Sequence, residues 1–186
     1  SVDLYNELFD KYPAVLGGAI WEWQDQGIYN NRDPQHPITA YGGGFGEYPN
    51  DKYFIHKGVV FSDRSVKPHY PELKHAYQWI AVTAKDLHQG TFTLKNKYQF
   101  TSLKNFSGKW QLSENGINID SGSFKPGNIA PGQAGNVTIP VKLKAKPGAV
   151  YYVRLAFQLI DSTNWAPQGF EVTSQQFLLP APSAIQ

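Results

Sequence analysis

Residues 150–160 constrain the fold of this chain more tightly than any other stretch. Tyr151, Val153, Leu155, Phe157 and Leu159 are all apolar, and Tyr152, Arg154, Ala156, Gln158 and Ile160 sit between them. Period-two alternation of this kind describes a strand with one buried face. Further strand-like runs stand at Thr91–Phe100, Gly108–Leu112, Ile117–Phe124, Asn136–Leu143 and Phe170–Leu179. Turn pairs separate them: Asn115-Gly116, Pro126-Gly127, Pro131-Gly132 and Pro147-Gly148. Six or seven short strands over about 100 residues predict a mainly β fold, an immunoglobulin-like antiparallel β-sandwich spanning residues 80–186.

Before residue 80 the texture differs. Leu4, Tyr5, Leu8, Phe9 and Tyr12 fall at helical spacing, Asp3 is placed as an N-cap, and Pro13 stops the helix. Gly17–Gln26 is a short apolar run that ends in Trp21 and Trp23 and then turns polar. That pattern predicts a buried strand, Val15–Trp23, of the kind found in parallel barrels, delivering aromatic side chains to the mouth of a pocket. Gln24–Pro71 reads as a long irregular segment, ordered by Tyr41, Phe45, Tyr48, Tyr53, Phe54 and Phe61. Pro71–Trp79 reads as a short helix with Pro71 in its first turn.

Composition narrows the function classes. The formal net charge is +2 with no clustering of either sign, so there is no basic stripe for nucleic acid. No apolar run has the length needed to cross a bilayer, so no membrane partner is expected. Cys is absent, which removes disulfides and thiolate metal sites and leaves the compartment open. Met is absent too, even at position 1, as expected of a piece cut from a longer protein. Aromatic residues make up 15 % of the chain, which suits sugar stacking and a sandwich core equally well.

Hydrolytic sugar chemistry with retention needs two carboxyl groups about 5–5.5 Å apart. The local acids are Glu22, Asp25, Glu47, Asp51 and Asp63. Alternation puts Glu22 on the opposite side from Trp21 and Trp23, as a structural acid. Glu47 and Asp51 lie in a Gly/Pro/Asn loop where carboxylates hold backbone N–H groups. No convincing catalytic pair emerges. His56, His69 and His75 lack metal-ligand company.

Gly17–Gln26 and Tyr41–Pro49 (Tyr-Gly-Gly-Gly-Phe-Gly-Glu-Tyr-Pro), with Phe54–Arg64, Pro68–Gln78 and Asn164–Phe177, together resemble bacterial β-galactosidases of glycoside hydrolase family 2. The resemblance implies that residues 1–79 are the C-terminal fragment of the (β/α)8 catalytic barrel, its last βα segment and the following loop. It implies that residues 80–186 are the next β-sandwich domain, and that both catalytic carboxylates lie upstream of Ser1. Trp21 then forms part of the galactose pocket, with Trp23 as core. Phe54 matches a position whose backbone carbonyl binds a monovalent cation. Lys57 stands where relatives carry an Asn ligand. An ammonium group has no lone pair for a metal, so sodium dependence is in doubt, and Lys57 is expected to meet substrate or an upstream carboxylate directly. Asn50 matches a residue linked with a peripheral divalent ion, so magnesium is the other cofactor implied for the parent protein.

The expected function is therefore a share in hydrolysing terminal β-D-galactosides, with this piece shaping the sugar pocket and carrying no catalytic residue. A β-glucuronidase-like or mannosidase-like relative stays open, although the Gly-rich loop favours galactosidase. A carbohydrate-binding or purely structural sandwich module is the alternative, and the former would need exposed coplanar aromatics around Trp110 or Trp165. Unpaired backbone on Val15–Trp23 is expected to drive self-association through the front third.

Overall fold

The computed structural model describes residues 2–180; Ser1 and residues 181–186, the outer ends of the two expected domains, lie outside the described residues. The chain divides into two compact units, Ser1–Tyr77 and Gln78–Gln186.

Helix α1 (Val2–Lys11) opens the first unit, with Asp3 in its first turn and Lys11 in its last, both favourable to the helix dipole. A two-stranded antiparallel hairpin follows, β1 (Ile28–Asn30) on β2 (Ile38–Ala40). A 3-10 turn covers Lys52–Ile55, and α2 (Tyr70–Ala76) has Pro71 at its start, where a missing N–H costs nothing. The hairpin and the turn lie within the long segment expected to be irregular.

The expected strand Val15–Trp23 does not form. A barrel strand needs a hydrogen-bonded neighbour on each side, and among the described residues only its end finds one. Val59 and Val60 donate to the carbonyls of Glu22 and Trp23 at 2.8 and 2.9 Å, and Gln24 makes an isolated parallel bridge with Val60. Leu16 is fully exposed and Trp23 is 61 % exposed within this unit, with the Trp23 ring edge-on to Tyr70 at 6.2 Å.

In the second unit the alternation becomes two sheets. β3 (Ile80–Asp86), β4 (Thr91–Asn96) and β7 (Ala134–Thr138) form one, in the order β3-β4-β7. β5 (Phe106–Glu114), β6 (Ile117–Phe124), β8 (Tyr151–Leu159) and β9 (Glu171–Leu179) form the other, in the order β6-β5-β8-β9. All pairings are antiparallel, and the chain crosses between sheets after β4 and again on either side of β7, a Greek-key path. β3 was not foreseen as a strand. Conversely, the run expected to reach Leu143 leaves the ladder at Thr138, just before Pro140, which has no N–H to donate.

Both sheets feed one core. Phe92 and Leu94 of β4, Leu112 of β5 and Val153, Leu155 and Phe157 of β8 are fully buried in it. The rings of Phe92 and Phe177 meet across the sheets at 5.0 Å. Phe124 stands perpendicular to Phe157 at 5.5 Å and lies over Gly108, where any Cβ would fall 2.4 Å from that ring. The buried Tyr151 hydroxyl donates to Glu114 Oε2 at 2.7 Å and accepts Lys146 N–H at 3.0 Å, so its burial leaves no polar group unpaired. Asn96, also buried, donates to the carbonyls of Thr101 and Ile129 and accepts Tyr98 N–H.

Phe157→Ala should destabilise the second unit by about 3–5 kcal/mol through the cavity it leaves, read by urea unfolding. Ile119→Ser, on the exposed side of β6, should stay within about 0.5 kcal/mol of wild type; equal effects would contradict the assigned core.

Candidate functional site

Asp25 is the buried polar centre of the first unit, at 4 % exposure. Its Oδ1 accepts the Gly58 N–H and the Lys67 ammonium, each at 2.7 Å, and its Oδ2 lies 3.5 Å from His56 Nδ1. Burial pushes the carboxyl pKa up, but the hydrogen bonds from Lys67 and Gly58, the Lys67 charge and His56 together bring it below the ordinary value of 3.8. Lys67 also lies over the Phe61 ring at 5.3 Å. Asp25, His56 and Lys67 line a depression of about 400 Å³ with Thr39 and Phe61. A short ladder surrounds the carboxylate: Asp25 N–H donates to Val60 and Gln26 N–H to Ile55, both at 3.1 Å. Gly58 is required there, because a Cβ would sit 2.1 Å from Asp25 N.

Beside this centre the structure brings together Trp21, Phe54 and Lys57. Lys57 Nζ lies 4.3 Å from the centroid of the Phe54 ring and 5.9 Å from that of Trp21. Trp21 is 74 % and Phe54 65 % exposed. The 3-10 turn presents Phe54, and its Lys52 carbonyl accepts Gly42 N–H at 2.9 Å, tying the turn to the Gly-rich loop. The Trp21–Glu22 peptide bond is cis, and Glu22 N–H points to the Lys57 carbonyl at 3.4 Å. Two exposed aromatic faces with an ammonium beside them offer apolar stacking and hydrogen-bond donation in one place.

The other acids serve the backbone or near neighbours. Glu22 Oε2 accepts from Gln26 Nε2 at 2.8 Å, while its Oε1 is buried without a hydrogen-bond partner among the described residues. Glu47 accepts the N–H groups of Gly43 and Phe45 at 2.6 and 2.9 Å, and backbone hydrogen bonds to its own N–H and to these two lower its pKa. Arg32 reaches the same loop, with its guanidinium 5.1 Å from the Phe45 ring centroid. Asp63 accepts from the Ser65 hydroxyl and N–H. Asp51 begins the 3-10 turn and makes no side-chain cap bond. Asn50 donates to the Glu47 carbonyl at 2.9 Å and accepts Lys52 N–H at 3.2 Å, so its amide holds the loop. No three His, Cys, Asp or Glu side chains among the described residues are placed to hold a metal ion.

At the Phe54–Lys57 corner the second expected cation ligand is Lys57, whose ammonium lies over the Phe54 ring and has no lone pair to offer a metal ion. The Asp25–His56–Lys67 cluster was not foreseen. Asp25 and Lys67 are 42 residues apart, and neither carries a local signal of burial.

Two family profiles match the chain. Residues 1–82 match the TIM barrel domain of glycosyl hydrolases family 2, and residues 92–180 match β-galactosidase domain 4. The chain belongs to glycoside hydrolase family 2. It is 35 % identical over 183 residues to a β-galactosidase of Priestia megaterium, covering 97 % of this chain and 18 % of that protein. It is 33 % identical over 186 residues to a β-galactosidase of Alteromonas mediterranea, covering 100 % of this chain and 18 % of that protein. A β-galactosidase of Aeromonas hydrophila is 34 % identical over 182 residues, with 97 % and 18 % covered. The chain thus spans about a fifth of the length of these curated relatives, and carries the C-terminal part of the family 2 barrel domain followed by domain 4.

Within this family 2 barrel segment the lowered pKa of Asp25 sets the sign of a pH dependence. Its stabilisation is fully present above the ordinary value of 3.8 and is lost as pH falls through the lower folded value. Asp25→Ala, which leaves Lys67 buried and unpaired, should cost the first unit about 3–5 kcal/mol at neutral pH. The difference from wild type should shrink as the pH is taken below 3.8. Urea unfolding at stepped pH measures it, and a difference that grows on acidification would contradict an ionised Asp25.

Proposed function

We propose that this chain is the part of a β-galactosidase that walls and edges the sugar pocket, in an enzyme that hydrolyses terminal β-D-galactosides with retention. The observation carrying this reading is the juxtaposition of Lys57 Nζ with the exposed rings of Phe54 and Trp21, at 4.3 and 5.9 Å. The apolar face of galactose stacks on Trp21, and the three N–H donors of Lys57 meet ring hydroxyls or a neighbouring carboxylate. Lys57 supplies the positive charge that a sodium ion would otherwise bring to this corner. The acid/base and nucleophilic carboxylates come from outside residues 1–186; this is supported by Glu22, Asp25, Glu47 and Asp63 all being engaged in local hydrogen bonds. No step is assigned to a divalent ion, since the Asn50 amide is engaged on both sides within its loop.

The domain assignment that goes with this is a barrel fragment over residues 1–79 and a sandwich over residues 80–186. The exposed apolar side chains of the first unit, Leu4, Leu8 and Leu16 among them, need another protein surface to cover them, a further part of the longer enzyme or a second copy. The carbohydrate-binding alternative draws no support from the two late tryptophans. Trp110 is buried, and Trp165 stands at 82° to Phe170, so the two rings of that pair make no flat platform.

Steady-state kinetics on an aryl β-galactoside with the full-length enzyme test the reading. Trp21→Ala should lower kcat/KM on the order of 100-fold, because a displaced sugar ring loses its alignment. Wild-type turnover should be indifferent to replacing sodium by choline at constant ionic strength. Near-normal kinetics of Trp21→Ala would overturn the wall, and a large sodium activation of wild type would overturn the role of Lys57.

A further inference from the structure

Asp25 faces both chain neighbours of Lys57. Its Oδ1 accepts the N–H of Gly58 at 2.7 Å, and its Oδ2 lies 3.5 Å from Nδ1 of His56. Between those two residues the Lys57 side chain runs out to the rings of Phe54 and Trp21. Lysine carries its charge on a flexible four-carbon stem, so the place its ammonium occupies depends on how firmly its backbone is held. Here the backbone is held from beneath. The Gly58 contact has one register, since a Cβ at that position would fall 2.1 Å from Asp25 N and 2.4 Å from the Gln24 carbonyl carbon.

Asp25 is in turn held by Lys67 at 2.7 Å. A tight turn brings Lys67 there: Phe61 N–H donates to the Ser65 carbonyl at 2.9 Å, and Val60 bridges Val66 in antiparallel fashion. Gln24 Nε2 fastens the same turn through the Ser62 carbonyl at 2.6 Å. Asp25 itself is buried, with Oδ1 accepting twice, and is placed to act through its neighbours.

We propose that Asp25, with Lys67 as its counter-ion, is a positioning residue for Lys57: by gripping Gly58 and His56 it fixes where the Lys57 ammonium meets Trp21, Phe54 and the sugar. This rests on the reading that Lys57 faces the galactoside. A purely structural Asp25 would act on turnover whether or not Lys57 is present. A positioning Asp25 acts only through Lys57.

A double-mutant cycle in the full-length enzyme separates the two. Asp25→Asn should lower kcat/KM for an aryl β-galactoside about tenfold, a sub-ångström misplacement, and should have no more than about a twofold effect in a Lys57→Met background. His56→Phe keeps the ring against Tyr41 and leaves the Asp25–Lys67 pair intact, so it runs the same cycle if Asp25→Asn folds poorly. It should cost about threefold, again only when Lys57 is present. Losses of equal factor in both backgrounds, or no loss in either, overturn the proposal. If Lys57→Met alone leaves kinetics unchanged, the sugar-contact reading of Lys57 fails and the positioning role fails with it. If Lys57→Met is costly and Asp25→Asn is additive to it, only the positioning role is lost.

Discussion

The first unit depends on one buried ion pair. Regular structure in residues 21–67 is short: the β1–β2 hairpin, one 3-10 turn and a few ladder bonds between residues 22–26 and 55–60. Asp25 adds a point of attachment: it draws Gly58, His56 and Lys67, all more than 30 positions further along the chain, to one carboxylate. A buried pair of this kind is weak evidence for net stability, because desolvation offsets much of the attraction. Its value lies in uniqueness. One carboxylate with fixed partners admits one arrangement of the loop, whereas an apolar contact at the same place would tolerate several.

The second unit is held by the opposite logic. Its core is apolar and alternating, the buried Tyr151 and Asn96 are hydrogen-bonded while the Thr173 hydroxyl is buried without a partner among the described residues, and local pattern determines the sheets. The candidate site sits on the irregular unit, where side chains are placed by specific polar contacts and by aromatic packing, as in the Lys57–Phe54–Trp21 group. Irregular segments of this kind are where binding residues concentrate, because specific contacts can place side chains there that a regular ladder would not.

Legibility in the sequence follows the same division. β8 could be read directly because Tyr151, Val153, Leu155, Phe157 and Leu159 repeat a period of two. β3 could not, since its small Ala and Thr side chains blur the contrast between faces. Val15–Trp23 forms no strand although its pattern predicts one, because an apolar run records what a segment could bury, while the neighbour that decides whether it becomes a strand lies elsewhere. The grouping of Trp21, Phe54 and Lys57 came into view only through family resemblance; spacing alone gave no reason for residues 21 and 57 to meet. Asp25 is one of five acids in this part of the sequence, and nothing local marks its burial because its partner Lys67 is 42 positions away.

The buried Asp25 carboxylate holds the Gly58 amide, next in the chain to Lys57. Hydrogen exchange at the Gly58 amide, followed by mass spectrometry on peptides spanning residues 55–62, tests it most directly. The Gly58 N–H is buried against Oδ1, so in wild type it should be among the slowest amides of residues 2–77. In Asp25→Asn it should exchange at rates like those of residues 31–37, the tip of the β1–β2 hairpin. A Gly58 amide that already exchanges at loop rates in wild type would contradict the account.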